Sequence, residues 1–365
     1  MTFLNRCAII KEKGGVKKLS DSKVYYDGTK LLSMKDINGN TPEIYICTTN
    51  RTGGKTTFFN RLCVNKFNEK KGKFCVLYRY ISELDDCATK FFNDIGGLFF
   101  ANHTMTSKPR AKGIYHELYF DKNCCGYAIP LNAADKIKRY SHLFNDVERM
   151  LLDEFQSETN DYCADEIHKF RSIHTSIARG KGKMVRRVPV YLVGNPITLL
   201  NPYYVAMGIS NRLTDKVKFL KGTGFVLEQG YNEAASKAQA ESAFNSAFID
   251  EQFNAYLAQG VYLNDNLAFI EKMQGVSRYV CTLRYNDCDY AVREFANEGI
   301  MYCDDRADTT FANRISVTTN DHKINYVMLK KNDLFLLRLR FLFEHGAFRF
   351  KNLKCKEAVL KALSY

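Results

Sequence analysis

Apolar runs too short to be helices recur through residue 195, and stretches of 3.6-residue periodicity lie between them. Residues 43–49, 74–80, 150–155 and 188–195 are nearly continuous apolar runs, the pattern of strands covered on both faces. Amphipathic patterns over 56–67, after Ser82 and across 164–178 predict helices between these strands. Strands alternating with helices predict an α/β domain built on a central parallel sheet. Residues 114–131 read instead as a hairpin, with alternating runs on either side of a turn at 121–123.

The pattern changes after Pro202, the last of six prolines. Residues 233–259 are rich in Ala, Ser, Gln and Glu and hold neither Pro nor Gly; Ala238, Ala240, Phe244, Phe248 and Phe253 recur at helical spacing. A helical connector is expected there. Short β-type runs follow at 277–285, 289–295, 300–303 and 323–329, and 333–365 turns helical. The organisation expected is an α/β domain over 1–232, a connector over 233–266 and a smaller α+β domain over 267–365.

Of the 365 residues, 45% are hydrophobic and 25% charged, a mix that excludes a wholly disordered or collagen-like chain. The formal charge of +13 favours a polyanionic partner, nucleic acid before membrane. No apolar run approaches the ~18 residues of a membrane span. Asn5 and Arg6 interrupt the N-terminal apolar run, which makes a poor signal-peptide core. The twelve cysteines show no C-x-x-C spacing, and Cys47, Cys63 and Cys75 lie inside apolar segments, as buried reduced thiols of a cytosolic protein would. The seven histidines are scattered, and no structural zinc is expected. From Lys323 onward ten Lys and Arg stand against three Asp and Glu. A solvated helical face and a nucleic-acid-facing surface are both open there.

The sharpest motif is Thr49-Asn50-Arg51-Thr52-Gly53-Gly54-Lys55-Thr56, a G-x-x-x-x-G-K-[ST] phosphate loop with Thr49 in the first glycine's place. A strand enters it and a helix leaves it, as the chemistry requires. Gly53 and Gly54 let backbone N–H groups curl around phosphate oxygens, and the helix N-terminus adds partial positive charge. The ATP contacts expected are Asn50, Arg51, Thr52, Gly53, Gly54, Lys55, Thr56 and Thr57. Lys55 would reach the β- and γ-phosphates and the Thr56 hydroxyl would ligate Mg²⁺. Met150-Leu151-Leu152-Asp153-Glu154-Phe155 supplies the second element. Asp153 would hold the Mg²⁺, and Glu154 would be the general base that polarises the attacking water, which favours hydrolysis over kinase chemistry. The basic run Arg179-Gly180-Lys181-Gly182-Lys183-Met184-Val185-Arg186-Arg187 would meet a neighbour's nucleotide or DNA. Arg179, Arg186 and Arg187 each remain candidates for the arginine that stabilises the transition state. Asn195, at the end of the following strand, is either a γ-phosphate sensor or a structural cap.

Alongside these motifs stand Gly126-Tyr127-Ala128-Ile129-Pro130-Leu131, Gly194-Asn195-Pro196, Asn201-Pro202-Tyr203-Tyr204, Phe269-Ile270-Glu271-Lys272 and residues 279–287. Together they resemble the genome-packaging ATPases of small podophages, the encapsidation proteins of the Picovirinae, over most of the chain. The resemblance implies an ASCE-type P-loop ATPase domain that assembles as a ring, a pentamer, on the portal vertex of an empty prohead in the cytoplasm of the infected bacterial host. It implies ATP and Mg²⁺ as cofactors, with double-stranded viral DNA, the portal, the prohead and a structural packaging RNA as partners, and no membrane. Residue by residue, it implies phosphate and Mg²⁺ roles for Lys55 and Thr56, the Walker-B pair for Asp153 and Glu154, a finger offered to the next subunit for Arg179, and coupling for Asn195. Arg51 matches a P-loop arginine of related motors. Lys138 matches a basic residue working across subunits, and Arg139, Lys181 and Lys183 join it as trans-acting or DNA-binding candidates.

The resemblance also implies an RNase H-like C-terminal domain, the fold with which larger packaging enzymes cut DNA on two metals. The first metal-binding Asp belongs within the strand at 280–285, which reads V-C-T-L-R-Y and has none. Asp287, Asp289, Asp304 and Asp305 read as turn residues. A vestigial nuclease is expected, binding DNA, RNA or portal without cutting. An active terminase-like nuclease and a non-motor P-loop binding protein are the alternatives.

Overall fold

The computed structural model describes residues 25–363 apart from 160, 181, 183, 211, 214–216, 248–261, 263–268 and 330–333. Lys181, Lys183, Phe248 and Phe253 therefore lie outside the described residues. Two compact units emerge. One takes the described residues of Met1–Phe155, His168–Asn195 and Lys218–Val261; the other takes those of Gln156–Ile167, Pro196–Val217 and Tyr262–Tyr365.

The first unit is built on nine strands: β1 (Ile44–Thr48), β2 (Lys73–Tyr78), β3 (Met105–Arg110), β4 (Tyr115–Phe120), β5 (Asn123–Pro130), β6 (Val147–Asp153), β7 (Val190–Gly194), β8 (Phe219–Gly222) and β9 (Phe225–Gln229). Their order across the sheet is β3-β4-β5-β2-β6-β7-β1-β9-β8. The central pairings, from β5 to β9, are parallel, and antiparallel strands close both edges. The helices are α1 (Thr29–Ser33), α2 (Lys55–Lys70), α3 (Leu84–Phe99), α4 (Ala134–Lys138), α5 (Glu166–Ile177), α6 (Pro202–Ala206), α7 (Glu233–Ala240) and α8 (Ala243–Ser246); α6 belongs to the second unit.

Burial follows the apolar runs. Every residue of β7 is buried, whereas edge strand β3 is almost wholly exposed and carries Lys108, Pro109 and Arg110, which discourage further pairing. α2 buries Phe59, Cys63 and Phe67, one helical face, among Tyr45, Cys47, Tyr191, Val193 and Val226 of the neighbouring strands. That packing fixes the start of α2 over the end of β1. In the stretch expected to be the connector, the described residues form α7 and then α8, with the Ser242 hydroxyl capping the second.

The second unit holds β10 (Arg278–Tyr285), β11 (Cys288–Phe295), β12 (Ile300–Asp304), β13 (Arg314–Ser316), β14 (Val327–Met328), α9 (Leu334–Glu344), β15 (Phe348–Phe350) and α10 (Leu353–Leu363). Its strand order is β14-β13-β10-β11-β12-β15. An antiparallel meander, β10-β11-β12, thus carries parallel strands on both sides, an RNase H-like arrangement. Two expectations are corrected here. The strand at 323–329 shrinks to β14, because Asn325 turns the chain with φ +68°. The helical end is interrupted: Gly346, at φ +72°, stops α9, and stacked Phe348 and Phe350 pair as β15 with β12. The pattern also missed β3, β8, β9 and β13.

Candidate nucleotide site

β1 lies between β7 and β9, parallel to both, so the loop after Thr48 leaves the parallel part of the sheet, third strand from one edge. Gly54 sits at the N-cap of α2 with φ +87° and supplies no side-chain cap, so the first N–H groups of α2 point free into the loop. A Cβ on Gly54 would come within 3.0 Å of the Tyr25 ring. Thr52 takes the left-handed conformation at φ +59°. Thr49, in the place of the first glycine, finds room because residue 230 opposite is Gly; a Cβ there would meet the Thr49 methyl at 2.8 Å. Asn50 is fully buried and bridges to Asn232: its Nδ2 donates to the Asn232 carbonyl at 3.0 Å, and the Asn232 N–H donates to its Oδ1 at 2.9 Å. The Asn50 side chain is thus spent on holding the loop in shape.

The ends of β6 and β7 close on the start of α2. The Thr56 hydroxyl donates to Asp153 Oδ1 at 3.3 Å, and Lys55 Nζ donates to Asn195 Oδ1 at 2.6 Å. Thr57 follows, half-buried, in the same helical turn. Burial pushes the Asp153 carboxyl up to about 6, against the pull of Lys55 and with a further push from Glu154. Burial also lowers the Lys55 ammonium, opposed by Asp153. Glu154 stands at φ +54°, a costly conformation for a non-glycine residue. Its N–H donates to Asp153 Oδ1 at 3.0 Å, and Arg79 Nη2 reaches the carbonyls of Glu154 at 3.4 Å and Phe155 at 3.2 Å. Its exposed carboxylate accepts no hydrogen bond among the described residues and is left to face solvent. Sequence reasoning missed Arg79 and Asn232, because both act through sheet neighbours that chain order hides.

A hydroxyl and a carboxylate in contact beside a phosphate loop are the donor set of a nucleotide-bound Mg²⁺, so Thr56 and Asp153 fit that ion. Because the folded chain keeps the Asp153 proton up to about pH 6, ionising it costs stability as the pH rises, and a bound cation returns that stability. Mg²⁺–ADP is therefore expected to raise the melting temperature more well above pH 6 than well below it. Thermal melts with and without ligand check this, and an equal rise at both would contradict it.

A second feature of the first unit is a basic cleft of about 520 Å³ between α4 and α5. Lys138, His168, Arg171, Thr175 and Arg179 line it. Arg179 is exposed and has no hydrogen-bond or ion-pair partner among the described residues, while Lys138 pairs with Asp135 at 3.0 Å. The other two arginine candidates are tied down: Arg186 Nη2 donates to the Ile177 carbonyl at 2.7 Å and Arg187 Nη2 to the Pro42 carbonyl at 2.6 Å. Arg139 follows α4, exposed, and is not among the lining residues. The cleft contains none of the phosphate-loop residues, so the structure brings Lys55, Thr56, Asp153, Glu154 and Asn195 together and holds Lys138 and Arg179 as a separate group.

In the second unit, Asp289 and Asp304 lie in strands β11 and β12, which corrects their reading as turn residues; Asp287 does sit in a turn, at φ +59°. Each carboxylate is answered by a cation. Arg284 holds Asp287 at 2.8 Å and Asp289 at 3.2 Å, Arg293 holds Asp304 at 2.8 Å, and Lys351 pairs with Asp305. No group of three or more metal-ligating side chains occurs among the described residues.

The family model for the Podovirus DNA encapsidation protein (Gp16) matches residues 20–363. The chain belongs to this family. It is 23% identical over 336 residues to the DNA packaging protein of Bacillus phage phi29, covering 91% of this chain and 95% of the relative. The DNA packaging protein of Bacillus phage B103 is 22% identical over 305 residues, covering 82% of this chain and 89% of the relative. Among solved structures, a chain of the bacteriophage Phi-29 viral genome packaging motor assembly aligns with a TM-score of 0.67 at 23% identity, over 94% of this chain and 98% of that one. An encapsidation protein thus has the expected fold: an ASCE-type P-loop domain, with β7 inserted between the loop strand β1 and the Walker-B strand β6, and a smaller RNase H-like unit. Among the described residues no helix is long and apolar enough to cross a membrane.

Proposed function

We propose that this encapsidation protein is an ATP-driven motor that moves double-stranded viral DNA into a prohead, hydrolysing ATP at the subunit boundaries of a ring. The observation that carries this reading is the pair of contacts Thr56–Asp153 and Lys55–Asn195, which close a phosphate loop beside the Glu154 carboxylate, unpaired among the described residues. Lys55 Nζ carries three donors, so a bound triphosphate would share or compete for the ammonium that Asn195 now holds, and Asn195 is placed to report occupancy to the sheet. Thr56 and Asp153 would hold a Mg²⁺ that neutralises phosphate charge. Glu154 takes the proton of the attacking water. Arg179 and Lys138, in a cleft apart from their own loop, meet the γ-phosphate held by the next subunit, with Arg51 beside the loop.

The ring is a pentamer at the portal vertex, in the host cytoplasm, with a structural RNA as a further partner. Basic loops grip phosphates, so DNA affinity falls steeply with salt and ignores sequence. The test is the ATPase rate with and without DNA and proheads: the rate rises with both, and a rate indifferent to them contradicts the reading. The second unit binds without cutting, because every candidate carboxylate already neutralises an arginine or lysine. Plasmid incubated with Mg²⁺ or Mn²⁺ is expected to stay intact. Cutting that disappears in Asp287→Ala or Asp304→Ala would instead establish an active nuclease.

A further inference from the structure

We propose that Gln156 is a positioning residue that makes the segments following Glu154 and Asn195 move as one piece; the inference deepens the motor reading above and rests on it. The chain passes from the first unit to the second directly after Phe155 and again directly after Asn195. Both exits thus lie next to groups of the nucleotide site, Glu154 and Asn195.

Gln156 ties the two exits together. It is 4% exposed, and its Oε1 accepts two consecutive backbone N–H groups, from Ile197 at 3.1 Å and from Thr198 at 2.9 Å. Pro196 has no N–H, so these are the first two backbone donors after Asn195. On the other side of Asn195, the Val193 carbonyl accepts the Phe155 N–H at 3.2 Å. Phe155 and Gln156 therefore hold the chain on both sides of Asn195. The Nε2 of Gln156 is buried with no hydrogen-bond partner among the described residues. The side chain serves through its oxygen alone, and the fold carries the cost of the unmatched donor.

The tie continues into the second unit. The Thr198 carbonyl accepts Asn201 Nδ2 at 2.8 Å, and Asn201 Oδ1 caps α6 by accepting the Tyr204 N–H at 2.9 Å. The Tyr203 hydroxyl donates to Glu166, at the start of α5, at 2.8 Å. The segment after Glu154 and the segment after Asn195 are thus joined near both ends by buried side chains, Gln156 at one and Glu166 with Tyr203 at the other. A shift of Asn195, when a triphosphate competes for the Lys55 ammonium, is carried through Gln156 to both segments at once.

The test compares native, Gln156→Met and Gln156→Glu rings on proheads, with DNA packaged and ATP hydrolysed measured in the same reaction. Met keeps the length and loses the acceptor; Glu keeps an oxygen for both N–H groups and gives up only the unbonded Nε2. Gln156→Met is expected to package about fivefold less DNA per ATP, or lower still, and Gln156→Glu to recover roughly half of the native ratio or more. A merely structural role lowers packaging and hydrolysis together. A native ratio in Gln156→Met, or no recovery in Gln156→Glu, overturns the inference. If Gln156→Met does not fold, hydrogen exchange on the Glu154→Gln protein decides: Mg²⁺–ATP is expected to change exchange at the Ile197 and Thr198 amides by about threefold or more, and unchanged rates overturn the inference. A native ring that neither hydrolyses ATP nor packages DNA would instead bring down the motor reading itself.

Discussion

Arg179→Ala is expected to lower ATP turnover of the assembled ring by roughly 10³-fold or more, with nucleotide affinity within about twofold of native. Arg179 is exposed, unpaired among the described residues, and placed in a cleft that contains no residue of its own phosphate loop. Removing it leaves no buried group without a partner, so stability is spared. Arg186→Ala should do the opposite. That guanidinium is nearly buried on the Ile177 carbonyl, and its loss costs about 1–3 kcal/mol of stability by leaving the carbonyl unsatisfied. Lys138→Ala should fall between, since Lys138 shares its charge with Asp135. Steady-state rates and thermal melts on the three variants separate these effects, and native turnover in the Arg179→Ala ring would remove the trans arginine from the account.

Glu154→Gln should bind ATP as the native chain does and hydrolyse it roughly 10²–10⁴-fold more slowly. Gln keeps the size of the side chain and loses only the capacity to accept a proton. The surroundings make this a clean change. The Glu154 backbone is held by its N–H to Asp153 and by Arg79 on its carbonyl, so the strained φ of +54° does not depend on the carboxylate. Asp153→Asn would be less informative, because it alters the Thr56 contact and the cation site together. A quenched-flow burst and an equilibrium titration on the same preparation read chemistry and binding apart.

Much of this site was legible in the chain because it is local. A buried strand, two glycines, Lys55 and Thr56 occur in one stretch, and Met150-Leu151-Leu152-Asp153-Glu154 declares its strand by apolar continuity. What escaped is what the sheet assembles. Arg79 follows the last residue of β2, and only the pairing of β2 with β6 brings it to Glu154. Asn232 reaches Asn50 because β9 lies beside β1. The β8–β9 hairpin had a signal, two apolar runs about Gly222-Thr223-Gly224, and marking it would have placed Asn232 at the loop. In the second unit, β15 is three residues between helices, too short for any periodicity to mark. Nor does the sequence show that Arg186 and Arg187 are held by the Ile177 and Pro42 carbonyls while Arg179 has no such partner among the described residues, because those carbonyls come from a helix end and a distant loop.

The central claim is that one triphosphate lies in the loop at Gly54 and is split by water that Glu154 activates. The most direct measurement incubates the Glu154→Gln protein with Mg²⁺ and ATP under conditions in which the native ring turns over, then releases and identifies the bound nucleotide. The account predicts intact ATP, retained through many native turnover times. ADP and phosphate formed at the native rate would contradict it.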